Sequence, residues 1–357
     1  MGHGHLRRCL VLADAFGAHG LRSRFVMRRR SRASIPRIKG AGHDVTLLAS
    51  HRPGVGDSAL RGGGRRRWLS VPWLVDARQT LSAIDCRAVR CVIVDHYGLD
   101  GRWEGEVGRR TQAVVVVIDG LANRPHECHL VVDPTYSHPR SVRRWDGLVA
   151  RDTPVLAGPR YALLRPEFSK AAVALPRRDG RVEHLLVAFG GSDPGGATEL
   201  AVDALCRLGA PKLNTTVVAG ADKSDLGALR RRMAGRSDME IHVDTDEMAR
   251  LMARADLAIG GAGTMMWERA FLRLPAIVVA VAPHQADVAR PVAETGAVDY
   301  LGIVDHVRPT RLCQAVADLM SAPGRVQEMI QKNRDLIDDA RQVGTKVVAS
   351  RILNLIE

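Results

Sequence analysis

The sequence predicts an α/β protein of two consecutive halves, each a parallel sheet with helices wound on both faces. Three observations carry this. Continuous, mostly β-branched apolar runs such as 113–118 and 184–189 suit strands covered on both sides. Helix-periodic segments alternate with these runs, which implies βαβ units and a doubly wound sheet. The alternation restarts near residue 183, after the polar stretch 174–180 that holds Pro176 and Gly180.

In chain order, residues 6–19 read as an amphipathic helix stopped at Gly20, followed by strands at 24–27 and 44–48. Residues 51–67 are rich in Gly, Arg and Pro and predict a mobile loop. A helix around 76–88 leads to a strand at 91–94 ended by Asp95, and the next strand, at 113–118, is ended by Asp119. The second series has strands at 184–189, 215–219, 240–243, 257–259 and 276–280, with helices between them. The last fifty or so residues read as helices, closing with an amphipathic one at 347–356. The expected division is a first domain at 1–173, a linker at 174–180 and a second domain at 181–357 that includes the terminal helices. Two such domains are expected to face each other across a cleft, with ligands at the carboxyl ends of both sheets.

At 357 residues, 46% hydrophobic and 25% charged, the chain is long enough for two cores. No apolar run reaches the roughly 20 residues of a membrane span, and no signal-peptide core follows Met1, so a cytoplasmic location is expected. Six scattered cysteines without C-x-x-C spacing point to reduced thiols. The net charge of +13 raises a nucleic-acid reading, but six lysines leave 46 of the 52 basic residues as arginine. Runs such as 28–30, 65–67 and 230–232 are not interleaved with aromatics, which fits solvated faces; an acidic substrate or membrane surface is the alternative.

Several segments carry chemistry. Gly2, His3, Gly4 and His5 precede the first helix, where free amides and the helix dipole favour an anion and a histidine can exchange protons. Gly190, Gly191, Ser192, Asp193, Pro194, Gly195 and Gly196 follow the first strand of the second half. They form either a phosphate cradle or a tight βα turn, and match neither a P-loop nor a dinucleotide fingerprint. Gly260, Gly261, Ala262, Gly263 and Thr264 repeat the device. Glu268, just inside the next helix, can accept from ribose hydroxyls or complement the helix start. Asp95, His96, Tyr97 and Asp119 sit at strand ends facing the expected cleft, where Tyr97 either hydrogen-bonds a sugar or caps the sheet edge. His126, Cys128 and His129 lack a matching set of metal ligands, and no G-x-S-x-G elbow occurs.

Taken in order, these stretches resemble the UDP-2,4-diacetamido-2,4,6-trideoxy-β-L-altropyranose hydrolases of pseudaminic acid biosynthesis and related spore-coat and surface polysaccharide proteins. The resemblance rests on residues 2–10, 94–100, 118–124, 158–168, 189–194 and 267–269 and covers nearly the whole chain. It implies a GT-B-like architecture of two Rossmann-like domains, related to the UDP-N-acetylglucosamine transferases of peptidoglycan synthesis. It further implies hydrolysis of a UDP-linked amino sugar with water as the acceptor. On that reading His5 is the base and Tyr97 holds the sugar or water, with Gly4, Asp95, His284 and Gln285 beside the sugar. Gly190, Gly191, Ser192, Asp193, Gly261, Gly263 and Thr264 would bind UDP, with Glu268 on the ribose. Backbone amides stabilise the departing UDP, so no metal and no cofactor are expected. The same nucleotide site would also serve a GT-B glycosyltransferase or a binding protein without turnover.

The chain departs from that pattern at two positions. The family has Asp-Asp where this chain has Asp119 and Gly120, and often Asn where this chain has His284. The glycine turn at Gly2 also lacks the strand expected before it. The first sheet is therefore expected to lack its first strand, with Met1 an internal methionine, an apolar slot beside His5 and a loosely fixed base.

Overall fold

The computed structural model describes residues 3–28, 35–49, 68–136, 144–191, 193, 195–208, 213–220, 225–337 and 344–357. The loop expected at 51–67, the arginines at 65–67, and Gly2, Ser192 and Pro194 lie outside them. The chain divides into two packing units, one holding His5–Leu163 with Gly344–Glu357 and the other Leu164–Val343.

The first unit contains α1 (His3–Gly17), β1 (Arg24–Arg28), α2 (Ile35–Gly40), β2 (Asp44–Leu48) and α3 (Trp73–Ala83). It continues with β3 (Cys91–Val94), α4 (Gly101–Thr111), β4 (Val114–Ile118), β5 (Leu130–Asp133) and β6 (Val155–Ala157). Its strands form a parallel pair, β1-β2, and a separate four-stranded parallel sheet in the order β3-β4-β5-β6. The alternation of side chains in β4 shows why residues 113–118 are apolar throughout. Val115 and Val117 pack with Ala77 of α3 and Trp103 and Val107 of α4, while Val116 and Ile118 pack with Leu12 and Phe16 of α1. Each such buried side chain contributes roughly 1.5–3 kcal/mol. The helix expected at 76–88 starts three residues earlier, directly after Pro72, and stops where Ile84 turns extended. Strands β5 and β6 escape the sequence reading because four and three residues are too few to show a period.

The second unit contains α5 (Pro166–Val173), β7 (His184–Ala188), α6 (Ala197–Arg207), β8 (Asn214–Ala219), α7 (Leu226–Met233), β9 (Met239–Val243) and α8 (Met248–Arg254). After these come β10 (Leu257–Gly260), α9 (Thr264–Phe271), β11 (Ala276–Ala280), α10 (Pro283–Glu294), β12 (Val298–Ile303), α11 (Pro309–Met320) and α12 (Pro323–Ile337). All six strands are parallel, in the order β12-β11-β10-β7-β8-β9. The chain starts at the central strand β7, builds outward to β9, then returns to add β10 on the opposite side. The strand order therefore reverses between β7 and β10, and loops leaving neighbouring strands at such a point diverge to open a crevice. The two glycine-rich turns, 190–196 and 260–264, follow these two strands.

The segment 174–180 is anchored to the second unit by Arg178. Its guanidinium donates to the carbonyls of Met252 (2.9 Å), Ala253 (3.2 Å), Ala255 (2.8 Å) and Leu272 (2.8 Å). It thereby closes the carboxyl ends of α8 and α9, where carbonyls lack helical partners. The chain ends with α13 (Gly344–Ile356), whose Val348, Ala349 and Ile352 join the cluster of Leu12, Phe16 and Leu163 in the first unit. Its amphipathic stripe was legible locally, but not which sheet it covers. No helix among the described residues is long and apolar enough to cross a membrane.

Candidate functional site

In the first unit, β3 delivers Asp95, His96 and Tyr97 at its carboxyl end, and α1 carries His5, Arg8 and Cys9. His5 and Arg8 are three residues apart and share a helix face. Both meet Asp95, whose side chain is only 4% exposed. His5 Nδ1 lies 2.7 Å from Asp95 Oδ1. Arg8 donates through Nε to Oδ2 at 2.6 Å and through Nη2 to Oδ1, and Nη2 also lies 3.0 Å from His5 Nδ1. Cys9 Sγ donates to Oδ2 at 3.4 Å. With the proton on Nδ1 directed at the carboxylate, Nε2 is left as the basic nitrogen of His5.

The electrostatics follow from this geometry. Burial alone would raise the Asp95 carboxyl, but Arg8 and His5 outweigh it and hold the group well below the usual carboxylate range. Burial opposes the Arg8 charge, yet Asp95 lifts the guanidinium above its ordinary value. Burial, reinforced by Asp95, pushes the Cys9 thiol well up, so it stays protonated. The Tyr97 hydroxyl is raised by burial, and Arg8 hydrogen-bonds to it. The Tyr97 ring meets His5 edge-on at 4.9 Å and Trp68 at 5.4 Å. Burial lowers His96 to about 4, so it is neutral, and its Nδ1 accepts the Gly98 amide at 3.0 Å.

Two expectations are corrected here. Gly4 lies within the first turn of α1, because the helix starts at His3 rather than Leu6. His5, expected to be loosely fixed, is held by Asp95 and Arg8. Asp95, expected beside the sugar, accepts from His5, Arg8 and Cys9. Arg8 was missed, although its spacing from His5 on a helix was a readable signal.

Asp119 does not present a free carboxylate at its strand end either. It is fully buried, pairs with Arg124 at 2.5 Å, accepts the Leu121 amide at 2.5 Å and lies 3.2 Å from His126 Nε2. Nδ1 of His126 lies 2.7 Å from Glu104 Oε1. A neutral imidazole donates from only one nitrogen, so two flanking carboxylates select the imidazolium. Burial works against that charge, but Asp119 and Glu104 outweigh it and raise His126. Arg124 also donates to the carbonyls of Leu99 (2.6 Å) and His96 (3.3 Å), which ties this network to the segment that carries Tyr97.

In the second unit, the turn after β7 has Gly190 at φ +107°, a conformation that suits glycine. Asp193 is buried at φ +36°, and its carboxylate accepts the amides of Ala197 (3.0 Å) and Thr198 (2.9 Å). The start of α6 is therefore capped by the chain's own carboxylate, which fills the place the sequence reading reserved for phosphate at that helix. The turn after β10 differs. Gly263 precedes α9 without a side-chain cap, the first turn holds no acidic residue, and Thr264 is the first helical position. The Met266 amide donates to the Gly263 carbonyl at 2.9 Å, which leaves the amides of Thr264 and Met265 directed at the helix start, as an anion site requires.

Behind that turn Glu268 is buried and Arg165 partly so. Glu268 Oε1 is 3.9 Å from Arg165 Nη2, and Arg165 pairs with Glu167 at 2.7 Å and lies over the Phe168 ring at 5.2 Å. Gln285 Oε1 accepts the amides of Ala262 and Val281, each at 3.2 Å, so the residue expected at the sugar joins the turns after β10 and β11. His284 is the second residue of α10. Gly261 is closely backed, since a Cβ there would meet Gln285 Oε1 at 3.3 Å.

Residues 186–344 match the glycosyltransferase family 28 C-terminal domain. The matched segment holds both glycine-rich turns, Glu268, His284 and Gln285. The chain is 29% identical over 192 residues, 53% of its length and 56% of the relative's, to the spore coat polysaccharide biosynthesis protein SpsG of Bacillus subtilis (strain 168). Over 110 residues it is 36% identical to the UDP-N-acetylglucosamine--N-acetylmuramyl-(pentapeptide) pyrophosphoryl-undecaprenol N-acetylglucosamine transferase of Gloeothece citriformis (strain PCC 7424). That match covers 29% of this chain and 30% of the relative. The chain thus spans about half the length of the first relative and less than a third of the second. The structure resembles that of Acinetobacter baumannii MurG, with a TM-score of 0.62 and 15% identity over 99% of this chain and 96% of the other. The fold is that of the GT-B glycosyltransferases.

Proposed function

We propose that this chain hydrolyses a UDP-linked 2,4-diacetamido-2,4,6-trideoxyhexose in the biosynthesis of a surface polysaccharide, and acts in the cytoplasm. The observation that carries the reading is the His5–Asp95 pair, with Arg8 completing the charge balance at 2.6 Å. His5 Nε2 accepts a proton from water as the water oxygen bonds to the anomeric carbon. The bond from that carbon to the β-phosphate oxygen breaks, and UDP leaves with the electron pair. Asp95 orients His5 and stabilises the imidazolium that forms. Tyr97, against the His5 ring, is assigned to the sugar or the attacking water. The turn at 260–264 is assigned to the diphosphate and Glu268 to the ribose, while Gly190 and Gly191 approach the nucleotide with their backbone.

A second reading, transfer of the sugar to an acceptor, is favoured by the family 28 domain at 186–344. Both are tested by mass spectrometry of UDP-diacetamido-trideoxyhexoses incubated with the protein in ¹⁸O-water without acceptor. Label in the free sugar, lost in His5→Ala, supports hydrolysis. Bound UDP with unchanged substrate, and turnover only when an acceptor is added, supports transfer.

A further inference from the structure

We propose that Arg269 is the positioning residue of the turn after β10. It fixes the peptide joining Gly261 to Ala262 and places a buried positive charge behind the amides that take the diphosphate. The proposal rests on the assignment of UDP to this turn.

The peptide between Gly261 and Ala262 is held at both ends. Arg269 Nη2 donates to the Gly261 carbonyl at 2.6 Å, and Gln285 Oε1 accepts the Ala262 amide at 3.2 Å. That fixes the plane of the Gly261–Ala262 peptide, from which the chain runs through Gly263 into the first amides of α9. The guanidinium leaves no room for a side chain on the strand's last residue. A Cβ at Gly260 would lie 2.5 Å from Arg269 Nη1 and 2.6 Å from the Ala188 carbonyl. Gly260 is therefore glycine because of what packs beneath it, not because of a left-handed backbone.

The charge of Arg269 is under-compensated. The residue is 2% exposed, and its Nε and Nη1 have no hydrogen-bond partner among the described residues. Glu268 attracts it but also faces Arg165 at 3.9 Å. Burial outweighs the pull of Glu268 and lowers the guanidinium to about 10. A buried cation with one backbone acceptor is costly by itself, since desolvation exceeds what a single bond returns. An anion at the start of α9 supplies the missing counter-charge in a medium of low dielectric. The arrangement explains how a turn without Lys or Arg in its own loop can prefer a diphosphate.

The test is calorimetric binding of UDP and of uridine to the full chain carrying Arg269→Met or Arg269→Lys, with circular dichroism as the folding control. Arg269→Met is expected to weaken UDP at least tenfold and to leave uridine within about twofold, as the nucleoside carries no phosphate charge. Arg269→Lys is expected to fall between, since it keeps the charge without the planar fork. Equal losses for UDP and uridine, or none for either, overturn the proposal. If Arg269→Met does not fold, the UDP-to-uridine ratio of Arg269→Lys decides. Wild-type protein that folds but binds neither ligand refutes the UDP assignment itself, and this inference falls with it.

Discussion

Replacing Asp95 by Asn leaves Arg8 buried beside a neutral amide. Arg8 and Asp95 side chains are 11% and 4% exposed, so neither charge recovers hydration when the other is removed. Breaking a buried pair from one side costs about 3–5 kcal/mol. For a unit of this size, each kcal/mol moves the melting temperature by roughly 2–4 °C, which gives a fall of about 6–20 °C. The paired change Arg8→Met with Asp95→Asn removes both charges and should recover most of the loss. Differential scanning calorimetry of the wild type, both single variants and the double variant completes the cycle. Hydrogen exchange of the α1 and β3 amides then localises the effect. An Asp95→Asn protein within about 1 kcal/mol of wild type, or a double variant no more stable than Asp95→Asn, would refute the reasoning. The pH dependence follows from the lowered Asp95 carboxyl. Its contribution is complete above the unfolded value of about 3.9 and is lost as pH falls through the lower folded value. Asp95→Asn should lack that acid-side decline.

Three further outcomes are expected. His126 is raised in the folded state, so its contribution is complete below about 6.5 and is lost as pH rises through the folded value. Melting temperatures from pH 6 to 9 should decline on that account, and the decline should be smaller in His126→Gln; parallel curves would contradict the imidazolium. Arg178→Met abandons four backbone carbonyls. Urea unfolding should show a loss of about 2–4 kcal/mol, and a loss under 0.5 kcal/mol would remove Arg178 as the anchor of α8 and α9. At Gly120 a new Cβ collides with Thr135 Cγ2, while Thr135 Oγ1 donates to Asp133 at 2.5 Å. Gly120→Ala should therefore cost about 1–3 kcal/mol in thermal unfolding, and Thr135→Ser, which keeps the hydroxyl but drops the methyl, should restore most of it. No recovery in the double variant would mean that the collision is not the cause.

The Gly120 result bears on a departure visible in the sequence. The family that the sequence resembles has an aspartate there, and the sequence offered no reason for its absence. The structure offers one, since Thr135, fifteen residues on, occupies the space a side chain would need. Asp193 makes the converse point. Its place between glycines at a helix start was legible, but a carboxylate and a phosphate suit that position equally well. Only the bonds to Ala197 and Thr198 decide which of them holds it.

The chain by itself determined the parallel sheets and the two glycine-rich turns at strand ends, because β-branched runs, helix periodicity and glycine spacing are properties of neighbouring residues. It also placed His5 at a helix start and Asp95 at a strand end. Tertiary structure alone decided that these two meet, that Arg8 joins them across 87 residues, and that Arg269 folds back beneath Gly260. It likewise sent α13 to the first unit and filled the Asp119 strand end with Arg124 and His126. A side chain's reach and charge are local facts. Which buried partner satisfies them depends on how distant elements pack, and no period in the sequence records that.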